Sequence, residues 1–170
     1  QGQGLDASTT DYTGLLARAV EANAGIWARE LGVITGENTV TAQAGQNGRA
    51  DIIGGSAATT TSAPTTSAPT PSSPSFALDV GQLGGMYAGK ITLIGTEAGV
   101  GVRNAGSIVG GTTGAAAGQV HIDANGKLTN TGVLGSNGSN ARTDGVAIHT
   151  HGQGIHNSGC LFRCNLVQIV

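Results

Sequence analysis

His149 and His151 stand two residues apart, a spacing that puts both on one face of a strand, and His156 follows closely. With Cys160 they form a set whose residue types could ligate zinc. No carboxylate stands behind them in the sequence, and a strand-turn pattern also places histidines outward by chance, so no metal ligand is assigned. Cys160 and Cys164 form an isolated C-x-x-x-C, too sparse for a disulfide framework, and read as incidental thiols. The carboxylates Asp51, Asp79, Glu97, Asp123 and Asp144 are scattered, with no pair at i, i+2 spacing to flank a glycosidic bond. Thr96–Gly101 is glycine-rich but lacks the lysine and the helix of a phosphate loop, and no Gly-x-Ser-x-Gly is present. Asn137-Gly138-Ser139 fits a glycosylation sequon, at the frequency chance allows in a chain rich in these residues. The expectation is a chain with no catalytic residue, no cofactor and no metal site.

The elements that would position any such site must be built from an unusual composition. There are 30 glycines in 170 residues, 3% aromatics, 11% charged residues and a net charge of −2. A core with so few rings has to come from Val, Ile, Leu and Ala, which suits a repetitive β architecture. The charge offers no basic footprint for nucleic acid. No apolar run approaches the roughly 18 residues of a membrane span. The chain begins at Gln1 without a leader and reads as a fragment whose first part lies upstream. Ser56–Ser75 contains only Ser, Thr, Pro and Ala and holds all four prolines. It has no apolar face to offset its ordering entropy and is expected to be a disordered insertion.

An internal repeat follows. Val102-Arg103-Asn104-Ala105-Gly106-Ser107-Ile108, Leu128-Thr129-Asn130-Thr131-Gly132-Val133-Leu134 and Ile155-His156-Asn157-Ser158-Gly159-Cys160-Leu161 share apolar-x-Asn-x-Gly-x-apolar at steps of 26 and 27 residues. Gly89-Lys90-Ile91-Thr92-Leu93 and Gly118-Gln119-Val120-His121-Ile122 alternate as strands. Gly145-Val146-Ala147-Ile148 reads as the same unit with its apolar phase shifted by one. Asn104, Gly106, Asn130, Gly132, Asn157 and Gly159 are therefore the candidate structural residues, at tight corners where both types tolerate positive φ and where stacked asparagines satisfy one another. Ile91, Val102 and Ile122 should point inward; Asp123, Asp144, His149 and His151 are assigned to outward or turn positions. These patterns predict a β-solenoid. Leu15–Gly32 is ambiguous: its apolar spacing leans to helix, yet Asn23-Ala24-Gly25-Ile26-Trp27 echoes the corner.

Phe76–Glu97, Gly99–Gly106, Gly4–Ser8, Leu16–Ala19, Asn23–Gly25 and Gly36–Asn38 together resemble the two-partner-secretion exoproteins, the filamentous haemagglutinins and contact-dependent growth inhibition exoproteins. The resemblance implies a right-handed parallel β-helix with strands over 15–40. It divides the chain into the end of a secretion-domain-like region (1–55), the linker (56–75), β-helix coils (76–161) and an atypical tail (162–170) in which the repeat stops. It further implies export through an outer-membrane transporter and display at the bacterial surface. The expected role is a piece of a fibrous adhesin that meets an unidentified host-cell or bacterial receptor. The stalk of a toxin-delivery protein is the alternative, and a β-helical polysaccharide-active enzyme a remote one. The family's Asn-Pro-Asn signatures are absent from these residues.

Overall fold

The computed structural model describes residues 3–36, 38–44, 50–57, 74–112, 118–140, 144–151 and 154–169. Seventeen strands and no helix occur among them: β1 (Leu5–Ala7), β2 (Thr13–Ala17), β3 (Val20–Ala22), β4 (Gly25–Thr35), β5 (Asn38–Ala44), β6 (Ala50–Ala57), β7 (Phe76–Val80), β8 (Gly85–Gly95), β9 (Gly101–Asn104), β10 (Ser107–Gly110), β11 (Gln119–Ala124), β12 (Leu128–Asn130), β13 (Val133–Ser136), β14 (Gly145–Thr150), β15 (Ile155–Asn157), β16 (Cys160–Phe162) and β17 (Cys164–Ile169). The strands form a ten-stranded sheet and a five-stranded sheet, β3-β7-β9-β12-β15, in which every pairing is parallel. The hairpin β5–β6 is antiparallel and stands apart. Each coil contributes one short strand to the smaller sheet and then a longer stretch to the larger one. The architecture is a parallel β-helix.

The core is a set of aliphatic stacks. Leu78, Val102 and Leu128 register across the smaller sheet; Met86, Ile108 and Leu134 across one half of the larger; Leu93, Ile122 and Ile148 across its other half. All are at most 2% exposed. Each such side chain contributes roughly 1.5–3 kcal/mol on burial, so cohesion is spread evenly along the axis.

The larger sheet bends where the inward phase slips. In β8 the buried residues run Met86, Ala88, then Ile91 and Leu93, so one step is three residues instead of two; β4 repeats this with Ile26, Ala28, Leu31 and Val33. At that bend the later coils interrupt the strand with an excursion, residues 111–118 between β10 and β11 and residues 137–144 between β13 and β14. Strand alternation on either side of the slip explains why Leu15–Gly32 is β2, β3 and β4 and no helix: its apolar residues divide among different walls of one coil.

Four details differ from the sequence reading. The apolar phase of Gly145–Ile148 is not shifted, since Val146 pairs with Val120 and Ile148 with Ile122; the glycine has moved by one, with Gly145 opposite Gln119. The echo at Asn23 is one residue out of register, because Ala22 pairs with Val80 and Val80 with Asn104. Ser56 and Ala57 belong to β6, while the rest of the Ser/Thr/Pro segment through Ser73 lies outside the described residues. The tail does not stop the repeat: Phe162 closes β16, and β17 pairs with β14 after a bulge. Its excursion has shrunk to Arg163, whose φ of 51° turns the corner in a single left-handed residue, so the spacing that marked earlier coils is gone.

Candidate functional site: the corner ladder and the outer faces

The structure brings Asn104, Asn130 and Asn157 into one register on β9, β12 and β15. Asn104 Nδ2 donates to Asn130 Oδ1 at 2.8 Å, and Asn130 Nδ2 donates to Asn157 Oδ1 at 2.7 Å. Asn104 also donates to the Val133 carbonyl at 2.9 Å, and Asn130 to that of Cys160 at 3.3 Å. Each amide thus ties its own coil to the next. Asn104 Oδ1 is buried with no partner, because the preceding coil presents Val80 at this register. An unsatisfied buried acceptor costs about 1–3 kcal/mol, so the ladder begins with a penalty.

The glycines serve a different purpose from the one their φ tolerance suggests. Gly106, Gly132 and Gly159 are absent from the residues with positive φ. They are required by stacking: a Cβ on Gly106 would overlap the Gly84 carbonyl oxygen, one on Gly132 that of Gly106, and one on Gly159 that of Gly132. The corner backbone bonds repeat with the same offset. Gly81, Ala105, Thr131 and Ser158 donate to the carbonyls of Ala22, Val80, Asn104 and Asn130 at 3.0, 2.8, 2.8 and 2.9 Å.

The few rings lie outside. The Trp27 indole lies across Gly25, the Tyr12 ring across Gly32, Tyr87 across Gly85 and Phe162 across Gly135. Trp27 and Tyr87, in register on β4 and β8, stack at 5.9 Å between centroids. Phe76 carries the Arg103 guanidinium 4.7 Å above its ring, and Arg103 is also paired with Asp79. Rings laid over strand glycines cover backbone that has no side chain of its own.

The histidines are redistributed. His149 sits beside His121 of the preceding coil, ring centroids 5.4 Å apart, while His151 Nε2 meets Asp123 Oδ1 at 3.0 Å. His156 lies on β15, in the other sheet, and Cys160 is exposed on β16. Among the described residues no three His, Cys, Asp or Glu side chains converge as a metal site. His121 has its pKa lowered, first by burial and then by His149, with Lys90 adding to the effect and Asp123 opposing it. A groove of about 440 Å³ runs beside it along Lys90, Thr92, Gln119, Gly145 and Ala147. Lys90 pairs with Glu30 at 3.4 Å. Asp144, assigned by sequence to an outward or turn position, is 1% exposed, and its Oδ2 accepts from the Asn140 amide at 2.7 Å. A carboxylate at the foot of an excursion folds back to cap its backbone. His121 was missed as a partner of His149; the 27-residue step from Asn130 to Asn157, applied one coil back, would have placed them side by side.

Comparison with known proteins accords with this architecture. The family model of the TPS secretion domain matches residues 1–129, well past the boundary drawn at residue 55. Toxin CdiA of Yersinia pestis is 46% identical over 162 residues, covering 95% of this chain and 4% of that protein. A tRNA nuclease CdiA of Escherichia coli (strain NC101) is 35% identical over 147 residues, 86% of this chain and 4% of the relative. A 16S rRNA endonuclease CdiA of Enterobacter cloacae is 30% identical over 159 residues, 94% and 4%. The chain therefore spans about 4% of the length of these relatives. No solved structure matches. With the family model covering residues 1–129 of 170 and the strands stacked as described, the chain belongs to the TPS secretion domain family, the two-partner-secretion exoproteins that are secreted and displayed at the bacterial surface.

Proposed function

We propose that this chain is an early shaft segment of a contact-dependent growth inhibition exoprotein, passed outward by an outer-membrane transporter and acting as a rigid, non-catalytic spacer. The observation that carries this reading is the 46% identity to a toxin CdiA over 95% of the chain. Relatives whose names describe nucleases share this segment with less than a twentieth of their own length, so the activities in those names are assigned to other parts of the parent protein. The shape supports the role: nearest-neighbour stacking yields a rod whose length grows with coil number. This places the toxin-delivery reading ahead of the adhesin one.

The test is an in-frame deletion of residues 76–161 from the parent protein in an inhibitor strain. The expected result is loss of surface display together with loss of neighbour growth inhibition. Undiminished inhibition by the deleted protein would overturn the proposal. A parent that never inhibits neighbours but loses cell attachment on deletion would replace it with the adhesin reading.

A further inference from the structure

We propose that His121 and His149, side by side on adjacent coils of the outer face, form a binding site for a divalent borderline metal ion of the zinc type, with Asp123 as the third protein ligand. The argument begins with spacing. Two imidazoles sharing one tetrahedral zinc, each at about 2.0–2.1 Å, hold their ring centroids roughly 5 Å apart. The observed separation is 5.4 Å, with the rings tilted by 51° and not stacked. The backbone fixes this pairing: β11 and β14 are parallel and in register over six residues, with Ala147 opposite His121 and His149 opposite Asp123. His149 is thus the diagonal neighbour of His121, and Asp123, two residues along the same strand, lies on the same face as both. The neighbour directly opposite His121 is Ala147, which lines the same groove as His121 and leaves space there for an ion and its waters.

Protonation favours the same outcome. Burial and the neighbouring His149 hold His121 below its ordinary pKa of 6.5, so its ring is neutral near pH 7 and keeps a lone pair to donate. Asp123 is half-exposed and engaged by His151. A carboxylate that binds the ion with one oxygen keeps the other for that histidine, the outer-shell arrangement that orients metal ligands. Lys90 is the one cation facing the groove from the preceding coil, and it is directed to Glu30.

The experiment uses the 170-residue chain carrying Cys160→Ser and Cys164→Ser, so that thiols do not compete. Zinc chloride is titrated into metal-free protein, followed by calorimetry and by the thermal melt. Cobalt substitution supplies the visible absorption of a tetrahedral site. The expected result is one ion per chain, a melt raised by several degrees and a tetrahedral cobalt spectrum. His121→Gln and His149→Gln should each abolish all three while leaving the metal-free melt within a degree or two. Asp123→Asn should weaken binding by roughly tenfold or more, and His156→Ala on the opposite sheet should change nothing. Absence of binding at millimolar zinc overturns the proposal. So does a doubly substituted chain, His121→Gln with His149→Gln, that folds normally and still gives the full zinc response.

Discussion

The same corner is built in two ways along this molecule. In the first two coils the position is filled by Ala22 and Val80; in the next three it is filled by Asn104, Asn130 and Asn157. The backbone does not register the change: the amide after the corner reaches the carbonyl of the preceding coil at 2.8–3.0 Å in every case. What stays constant in the next position but one is the lack of a side chain, at Gly106, Gly132 and Gly159, where the carbonyl of the previous coil leaves no room for one. The comparison teaches that glycine sets the corner's shape, while the residue at the asparagine position decides only how the buried space is filled. An apolar stack and an amide ladder are interchangeable solutions, provided that each is internally consistent, because mixing them strands a polar atom.

Four measurements would break or sharpen this contrast. The largest effect is expected from Asn130→Asp, which leaves a buried carboxylate facing the Asn157 Oδ1 and the Cys160 carbonyl, both acceptors. Urea denaturation at pH 7 should show a loss of about 4 kcal/mol, the scale of an uncompensated buried charge, and the loss should shrink once the carboxyl is protonated. A loss that does not depend on pH would contradict the ladder. Gly132→Ala should come next, at roughly 3 kcal/mol for overpacking against rigid backbone. If it cost less than Asn130→Val, the ranking of glycine over asparagine would be reversed.

Val80→Asn should be far milder. It gives up about 1.5 kcal/mol of apolar burial but offers a donor to the orphaned Asn104 Oδ1, worth about as much. The melt should therefore stay close to that of the unmodified chain, and a severe loss would mean that the early corner cannot host an amide. The smallest effect concerns the outer face. His121 has its pKa lowered in the folded chain, so its contribution to stability is complete above 6.5, where the unfolded ring is also neutral, and is lost as pH falls through the folded value. Melting midpoints should drop between pH 7 and pH 5, and His121→Gln should flatten that slope; an unchanged slope would remove His121 as its source.

Much of the fold could be read from the sequence because a solenoid writes its period into the chain. Alternation at Ile91/Leu93 and Val120/Ile122 and the Asn-x-Gly step of 26 or 27 residues fix strands and coil length without any long-range information. The parts that could not be read are those in which two coils meet. Glycine at the corners was attributed to φ because contact with a carbonyl on another coil leaves no local mark. Asn23 looked like a corner residue until register placed Ala22 there. Asp144 looked like a turn carboxylate, but the backbone it caps lies four residues upstream, across residues outside those described. The tail lost its signature when an eight-residue excursion became Arg163. For the candidate metal site, His149 was noticed, but its partner lies 28 residues away in sequence, and only the register of β11 against β14 makes them neighbours.

The placement of the rings outside also governs how this molecule can be watched. Its single tryptophan, Trp27, is 38% exposed and lies against Tyr87, a residue that joins it only after the chain has passed through the β5–β6 hairpin and returned. Indole emission will therefore report solvent at one seam, between β4 and β8, and energy transfer from tyrosine will report whether that seam has closed. Melting of the aliphatic interior around Ile122 or of the amides at Asn130 can proceed in silence at that wavelength. A fluorescence trace and a circular dichroism trace of the same unfolding reaction should therefore separate whenever the later coils come apart before the first ones.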